Sequence, residues 1–150
     1  MDHLSDTGIL LRFANPADPQ HGLVARAVRI LLERRETLCY TQQIRREFWN
    51  VCTRPATERG GLDLTIEEVV RRLGLIDRIF IRLPEREGVG HEWDRLVVTH
   101  AVRGVRVHDA QIVAEMLVRG ISHLLTLNPT DFARYEEIIV VHPRDVTEEG

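Results

Sequence analysis

A chain of 150 residues can form one domain with a sizeable core, so it needs neither disulfides nor a structural metal to hold it. The formal net charge of −3 argues against a strongly basic nucleic-acid binder. All 20 basic residues other than histidine are arginine, which excludes chemistry that requires lysine: Schiff bases, the phosphate-loop lysine, and the lysine of receiver domains or haloacid-dehalogenase-type phosphatases. No apolar run approaches the roughly 20 residues of a membrane helix, so no membrane association is expected. The start, Met1-Asp2-His3-Leu4-Ser5-Asp6, has no basic n-region and no signal-peptide core, which makes the cytoplasm the expected compartment. The two cysteines, Cys39 and Cys52, fall within apolar patterning and read as core thiols rather than nucleophiles.

In chain order, Leu23, Val24, Ala27, Val28 and Leu31 recur at helical spacing and predict an amphipathic helix over 20–35. Leu38-Cys39-Tyr40 is a short strand. Thr41 can N-cap the next helix, whose apolar face is Ile44, Phe48, Val51 and Cys52, and Arg54-Pro55 ends it. Gly60-Gly61 marks a loop. Thr65-Ile66-Glu67-Glu68 is a capping box that opens a helix carrying Val69, Val70, Leu73 and Ile76. Ile79-Phe80-Ile81 is a short β-rich run. Val89, Trp93, Leu96, Val97 and Ala101 mark another helix, stopped near Gly104. A mostly apolar helix runs from Asp109 to Arg119, with Gly120 as its C-terminal stop. The segments 123–127 and 138–141 are buried strands. Short apolar strands alternating with helices imply a parallel sheet covered on both faces.

In such sheets ligands bind beyond the carboxyl ends of the strands. Acids stand at those positions. Asp6 follows the first segment, Glu47 lies in the helix after 38–40, Asp109 opens the helix before 123–127, and Asp131 follows that strand, three residues after Asn128. Helical phase places Glu47 at the margin of the Ile44/Phe48 stripe and Asp109 on the side of Ile112 and Met116. An inward carboxylate is costly unless paired, hydrogen-bonded or metal-bound. Taken singly, each Asp is an ordinary N-cap and Glu47 an ordinary partner of an arginine. Taken together, they suggest a divalent cation, and hard oxygen ligands select Mg²⁺ or Mn²⁺ over Zn²⁺.

Four segments then carry a resemblance. Asp6-Thr7-Gly8-Ile9-Leu10-Leu11 resembles the opening of PIN domains. Gln42 to Val51, with Glu47-Phe48, resembles their second-acid helix. Val107-His108-Asp109-Ala110-Gln111-Ile112-Val113-Ala114 is similar to the helix carrying the third acid. Leu124-Leu125-Thr126-Leu127-Asn128-Pro129-Thr130-Asp131-Phe132 looks like the closing strand and turn. The segments occur in family order, and the brevity of the chain with Val140-Val141-His142-Pro143 near its end resembles the stand-alone VapC-type toxins.

The resemblance implies a three-layer α/β/α fold with a central parallel sheet and a single PIN-like domain over 1–150. It also implies an Mg²⁺- or Mn²⁺-dependent ribonuclease, the toxin of a type II toxin–antitoxin pair. Asp6 and Asp109 would be principal metal ligands, Glu47 would position the water or ligate through it, and Asp131 would complete the shell, directly or by water. Thr7, Thr126 and Asn128 would orient ligands by hydrogen bonds. The expected partners are an RNA substrate, a cognate antitoxin and a second copy of the chain. Apolar residues on the helices around 23–35 and 65–76 also point to a homodimer, because they exceed what one sheet face needs.

The chain departs from the family in two places. Met1 to Ser5 is polar where a first strand is usually apolar, so that strand is expected to be nearly absent. Asn128 stands where many relatives have Asp, which removes one charge. An alternative reading keeps the fold and discards the reaction: a PIN-like module that binds RNA or protein and holds metal too weakly for turnover. A receiver-type switch is disfavoured by the missing lysine. The seven histidines form no metal-binding spacing, although His108 beside Asp109 could touch substrate. The pairs Arg45/Arg46, Arg71/Arg72 and Arg103/Arg106 could bind phosphates but read first as solvated charges. Trp49 and Trp93 fit core stripes better than base-stacking platforms.

Overall fold

The computed structural model describes residues 1–149. Five parallel strands form one sheet: β1 (Asp2–Ser5), β2 (Thr37–Tyr40), β3 (Ile81–Arg82), β4 (His123–Leu125) and β5 (Ile139–Val141), in the order β3-β2-β1-β4-β5. The helices are α1 (Thr7–Phe13), α2 (His21–Glu33), α3 (Gln42–Thr53), α4 (Ile66–Ile79), α5 (Val89–Thr99), α6 (Val107–Arg119) and α7 (Pro143–Glu149). The chain builds β1, β2 and β3 in one direction, then returns past them to add β4 and β5 on the far side of β1. Right-handed crossovers therefore send α1–α4 to one face and α5–α6 to the other. The packing agrees: α1 touches α2 and α3, α3 touches α4, α2 touches α7, and α5 packs on α6. The three-layer α/β/α architecture expected from the sequence is present.

Local chemistry sets the element ends. The Thr41 hydroxyl accepts from Ile44 N (3.4 Å) and the Thr65 hydroxyl from Glu68 N (3.2 Å), each satisfying an orphan amide of the helix it opens. Gly120 ends α6 in the left-handed region at φ 70°. Leu38, Cys39 and Tyr40 are all buried, as a strand covered on both faces requires. Both cysteines are buried free thiols, and burial pushes Cys39 up to about 12 and Cys52 up to about 11.

Several expectations need correction. The segment that reads as too polar for a strand is β1, the middle strand of the sheet. Its side chains contribute little hydrophobicity beyond Leu4, but its backbone pairs with neighbours on both sides. That central position buries His3 and Ser5 as well. The run at 79–81 divides: α4 continues through Ile79, Phe80 N still bonds Ile76 O at 2.8 Å, and only Ile81 and Arg82 join the sheet. Strand β4 stops at Leu125 rather than 127, although Thr126 N still bonds Val141 O at 3.0 Å while its hydroxyl turns to Asp6. Helix α6 begins at Val107, two residues before Asp109. Helices α1 and α7 lack a long apolar period and are not expected from the sequence. Val70, placed by its spacing on the apolar face of α4, is 57% exposed.

Candidate active site

The order of the sheet reverses between β1 and β4, so a crevice opens where the ends of these two strands meet. Asp6 leaves β1 there. Its amide continues the ladder to Leu125 O at 3.0 Å, and its extended backbone makes it the N-cap of α1. One carboxylate oxygen accepts from Thr7 N (2.7 Å) and the other from the Thr126 hydroxyl (2.9 Å). The Thr126 hydroxyl in turn accepts from Asn128 N at 3.1 Å. Residues after β1 and β4 are thus tied directly across the switch point.

Helix α3 brings Glu47 to the same place. Its Oε2 accepts from the Thr7 hydroxyl (2.7 Å) and its Oε1 from Gln43 Nε2 (3.2 Å). Gln43 Nε2 also donates to His108 O (3.1 Å), which joins α3 to the first turn of α6. Asp109 is the third residue of α6 and does not cap it. Asp131 is the third residue of the 3-10 turn Pro129–Phe132, where Asn128 holds the N-cap position without a side-chain cap bond. Arg106 Nη1 stands between these two acids, 3.3 Å from Asp109 Oδ2 and 2.9 Å from Asp131 Oδ1.

The four acids share one electrostatic field. Burial, reinforced by the Glu47 and Asp109 carboxylates, pushes Asp6 up to about 6 against the pull of its Thr126 and Thr7 hydrogen bonds. Burial also raises Asp109, helped by Asp131 and Glu47 and opposed by Arg106. In each case desolvation is the largest cause, and neighbouring carboxylates add to it. Among the described residues, no three His, Cys, Asp or Glu side chains already surround one point as metal ligands would. Arg106 pairs with Asp109 and Asp131, and no ion pair to Asp6 or Glu47 is present among the described residues.

Of the residues singled out in the sequence, Asp6, Thr7, Glu47 and Thr126 form one hydrogen-bonded chain, and Asn128 joins it through its backbone N–H. Asp109 and Asp131 are joined by Arg106. His108 contributes its carbonyl rather than its ring. Sequence patterning reads Arg106 as a solvated charge and gives Gln43 no role. A Gln four residues before a Glu is a common helical pair, so spacing alone does not mark Gln43 as a bridge to α6.

No family model and no curated protein matches the sequence. Three solved structures share the fold. A chain of VapBC2 from Rickettsia felis, solved bound to a DNA fragment from its promoter, superposes with a TM-score of 0.71 at 14% identity, covering 95% of this chain and 98% of that one. VapBC-1 from nontypeable Haemophilus influenzae gives 0.68 at 16% identity, over 96% and 99%. VapC20 from Mycobacterium tuberculosis, described as a sarcin–ricin-loop-cleaving toxin, gives 0.58 at 17% identity, over 83% and 87%. The protein therefore has the fold of the VapC-type toxin structures, the PIN-like fold that its four acidic segments resemble. No helix among the described residues is long and apolar enough to cross a membrane.

Proposed function

We propose that this protein is a metal-dependent ribonuclease, the toxin of a type II toxin–antitoxin pair. What supports the reading is the electrostatic coupling of Asp6 to Glu47 and Asp109, and of Asp109 to Asp131, where burial and mutual repulsion raise Asp6 and Asp109. The residues fit a hard divalent cation in charge and in donor type, being carboxylates without thiolates. Mg²⁺ or Mn²⁺ held there would screen the carboxylates from RNA phosphate, polarise the scissile phosphate and acidify a bound water.

The chain's own residues have distinct tasks. Asp6 and Asp109 hold the ion, and Asp131 completes its surroundings. Glu47, fixed from two sides by Thr7 and Gln43, orients the attacking water. Thr126 fixes Asp6, and Asn128 N–H fixes Thr126. The likeness to VapBC assemblies supports a cognate antitoxin as partner. The likeness to VapC20, described as a sarcin–ricin-loop-cleaving toxin, supports RNA as substrate. Exposed Ile66, Val70 and Leu75 on α4 support a homodimer.

The test is cleavage of total bacterial RNA and structured hairpins by wild type and Asp109→Asn, with Mg²⁺ or Mn²⁺ and with EDTA. Wild type should cut only with metal, and the variant should lose more than roughly a hundredfold, beyond the 10–100-fold usual for an outer-sphere partner. Equal cutting by both proteins, or cutting in EDTA, rejects the mechanism. One observation favours a second reading, a PIN-like binding module with little turnover: Arg106 already supplies a cation to Asp109 and Asp131. No cleavage across the panel, with RNA binding retained, would select it.

A further inference from the structure

A cavity of about 230 Å³ lies between the start of α3, the 83–90 segment and α6. That is smaller than the roughly 300–1,000 Å³ of pockets enclosing a drug-sized ligand, and it suits a single base. Its walls carry three side-chain amides, Gln42, Gln43 and Gln111, and the arginines Arg46, Arg86 and Arg119. The arginines are not equivalent. Arg119 is committed to Glu115 and to Pro84 O. Arg46 and Arg86 make no ion pair or side-chain hydrogen bond among the described residues, although the carboxylates Glu85 and Glu115 line the same cavity.

The amides divide in the same way. Gln43 gives its nitrogen to Glu47 and His108 O, and its buried Oε1 has no partner. Gln42 and Gln111 make no side-chain hydrogen bond among the described residues. An amide offers a donor and an acceptor side by side, which matches the edge of a nucleobase, and arginine matches phosphate. Sequence-specific reading of RNA works chiefly on splayed, unstacked bases. Gln43 is also the wall that this cavity shares with the acids, since it holds Glu47 directly.

We propose that the cavity binds one unstacked base of the RNA next to the scissile phosphate. Gln42 and Gln111 read its edge, and Arg46 and Arg86 hold its phosphate. The inference rests on the ribonuclease reading for its substrate class, and it locates sequence preference on α3 and α6, outside the acid cluster.

The experiment titrates the full chain, in EDTA, with each of the four ribonucleoside 5′-monophosphates and with ribose 5-phosphate. Side-chain amide resonances of Gln42, Gln43 and Gln111 are followed by proton–nitrogen NMR. The expected result is saturable shifts at these amides in the millimolar range, with one base preferred roughly fivefold or more, the discrimination one good amide–base pair supplies. Gln111→Ala should lose that preference, and Arg86→Ala should weaken all four nucleotides alike. Absence of saturable shifts, or equal binding of ribose 5-phosphate, overturns the proposal. A protein that cuts RNA yet fails this titration loses the pocket alone. One that passes the titration but cuts no RNA keeps the pocket and loses the reaction.

Discussion

Arg106 Nη1 reaches Asp131 Oδ1 at 2.9 Å and, from the same nitrogen, Asp109 Oδ2 at 3.3 Å. One guanidinium thus offsets one of the two charges on a pair of acids that the proposed mechanism assigns to a metal ion. Arginine and ion then compete for the same oxygens. Arg106→Gln should tighten Mn²⁺ binding severalfold by calorimetry and enlarge the rise in Tm that Mn²⁺ produces. An unchanged Mn²⁺ affinity would show that the arginine and the ion do not share ligands.

Asp6 makes metal-free stability depend on pH. Its folded value, about 6, lies above the ordinary value of 3.8, so the folded state holds the proton more tightly than the unfolded chain. The stabilisation is full below about pH 4 and is lost as pH rises through about 6, on the order of 2–3 kcal/mol in all. In EDTA, wild type should therefore lose unfolding free energy between pH 4 and pH 6 relative to Asp6→Asn. Parallel pH profiles for the two proteins would contradict this.

Thr126 is fully buried, and its hydroxyl serves Asp6 and Asn128 at once. Thr126→Val keeps the shape and strands both partners, at a cost of about 1–3 kcal/mol in urea unfolding. Thr126→Ser should recover most of it. A Val variant as stable as wild type would mean that water replaces the hydroxyl.

The thiols give a probe of unfolding. Cys39 and Cys52 are 2% and 0% exposed, and burial holds both well above their ordinary value. Native protein at pH 8 should resist Ellman's reagent, with both thiols reacting at the global unfolding rate. Fast labelling of either one would reveal local opening of β2 or of the end of α3.

Much of the fold was legible because its signals are local. Leu38-Cys39-Tyr40 is continuously apolar, Thr41 and Thr65 are caps, and Gly120 is a stop, and each needs only its neighbours in sequence. Strand β1 was not legible. Its stability comes from pairing with β2 and β4, and its sequence, Asp2-His3-Leu4-Ser5, carries one aliphatic residue. The acids could be found because Asp6 and Asp131 follow strands and Glu47 and Asp109 take inward phases on their helices, whereas Arg106 and Gln43 also act through long-range contacts that no spacing encodes. Arg106 reaches Asp131 from 25 positions away, and Gln43 reaches His108 O from 65.

The bond from Thr126 to Asp6 spans 120 positions of the chain. During synthesis, β1 can pair with β2 early, but its other edge stays open until β4 has been made. The acidic crevice is then among the last parts to close, because long-range pairing must meet its loop entropy before it is rewarded. A nascent or truncated chain lacking β4 would carry three of the four acids without the hydroxyl that holds Asp6. For a protein proposed to destroy RNA, that late closure delays activity until the chain is nearly whole.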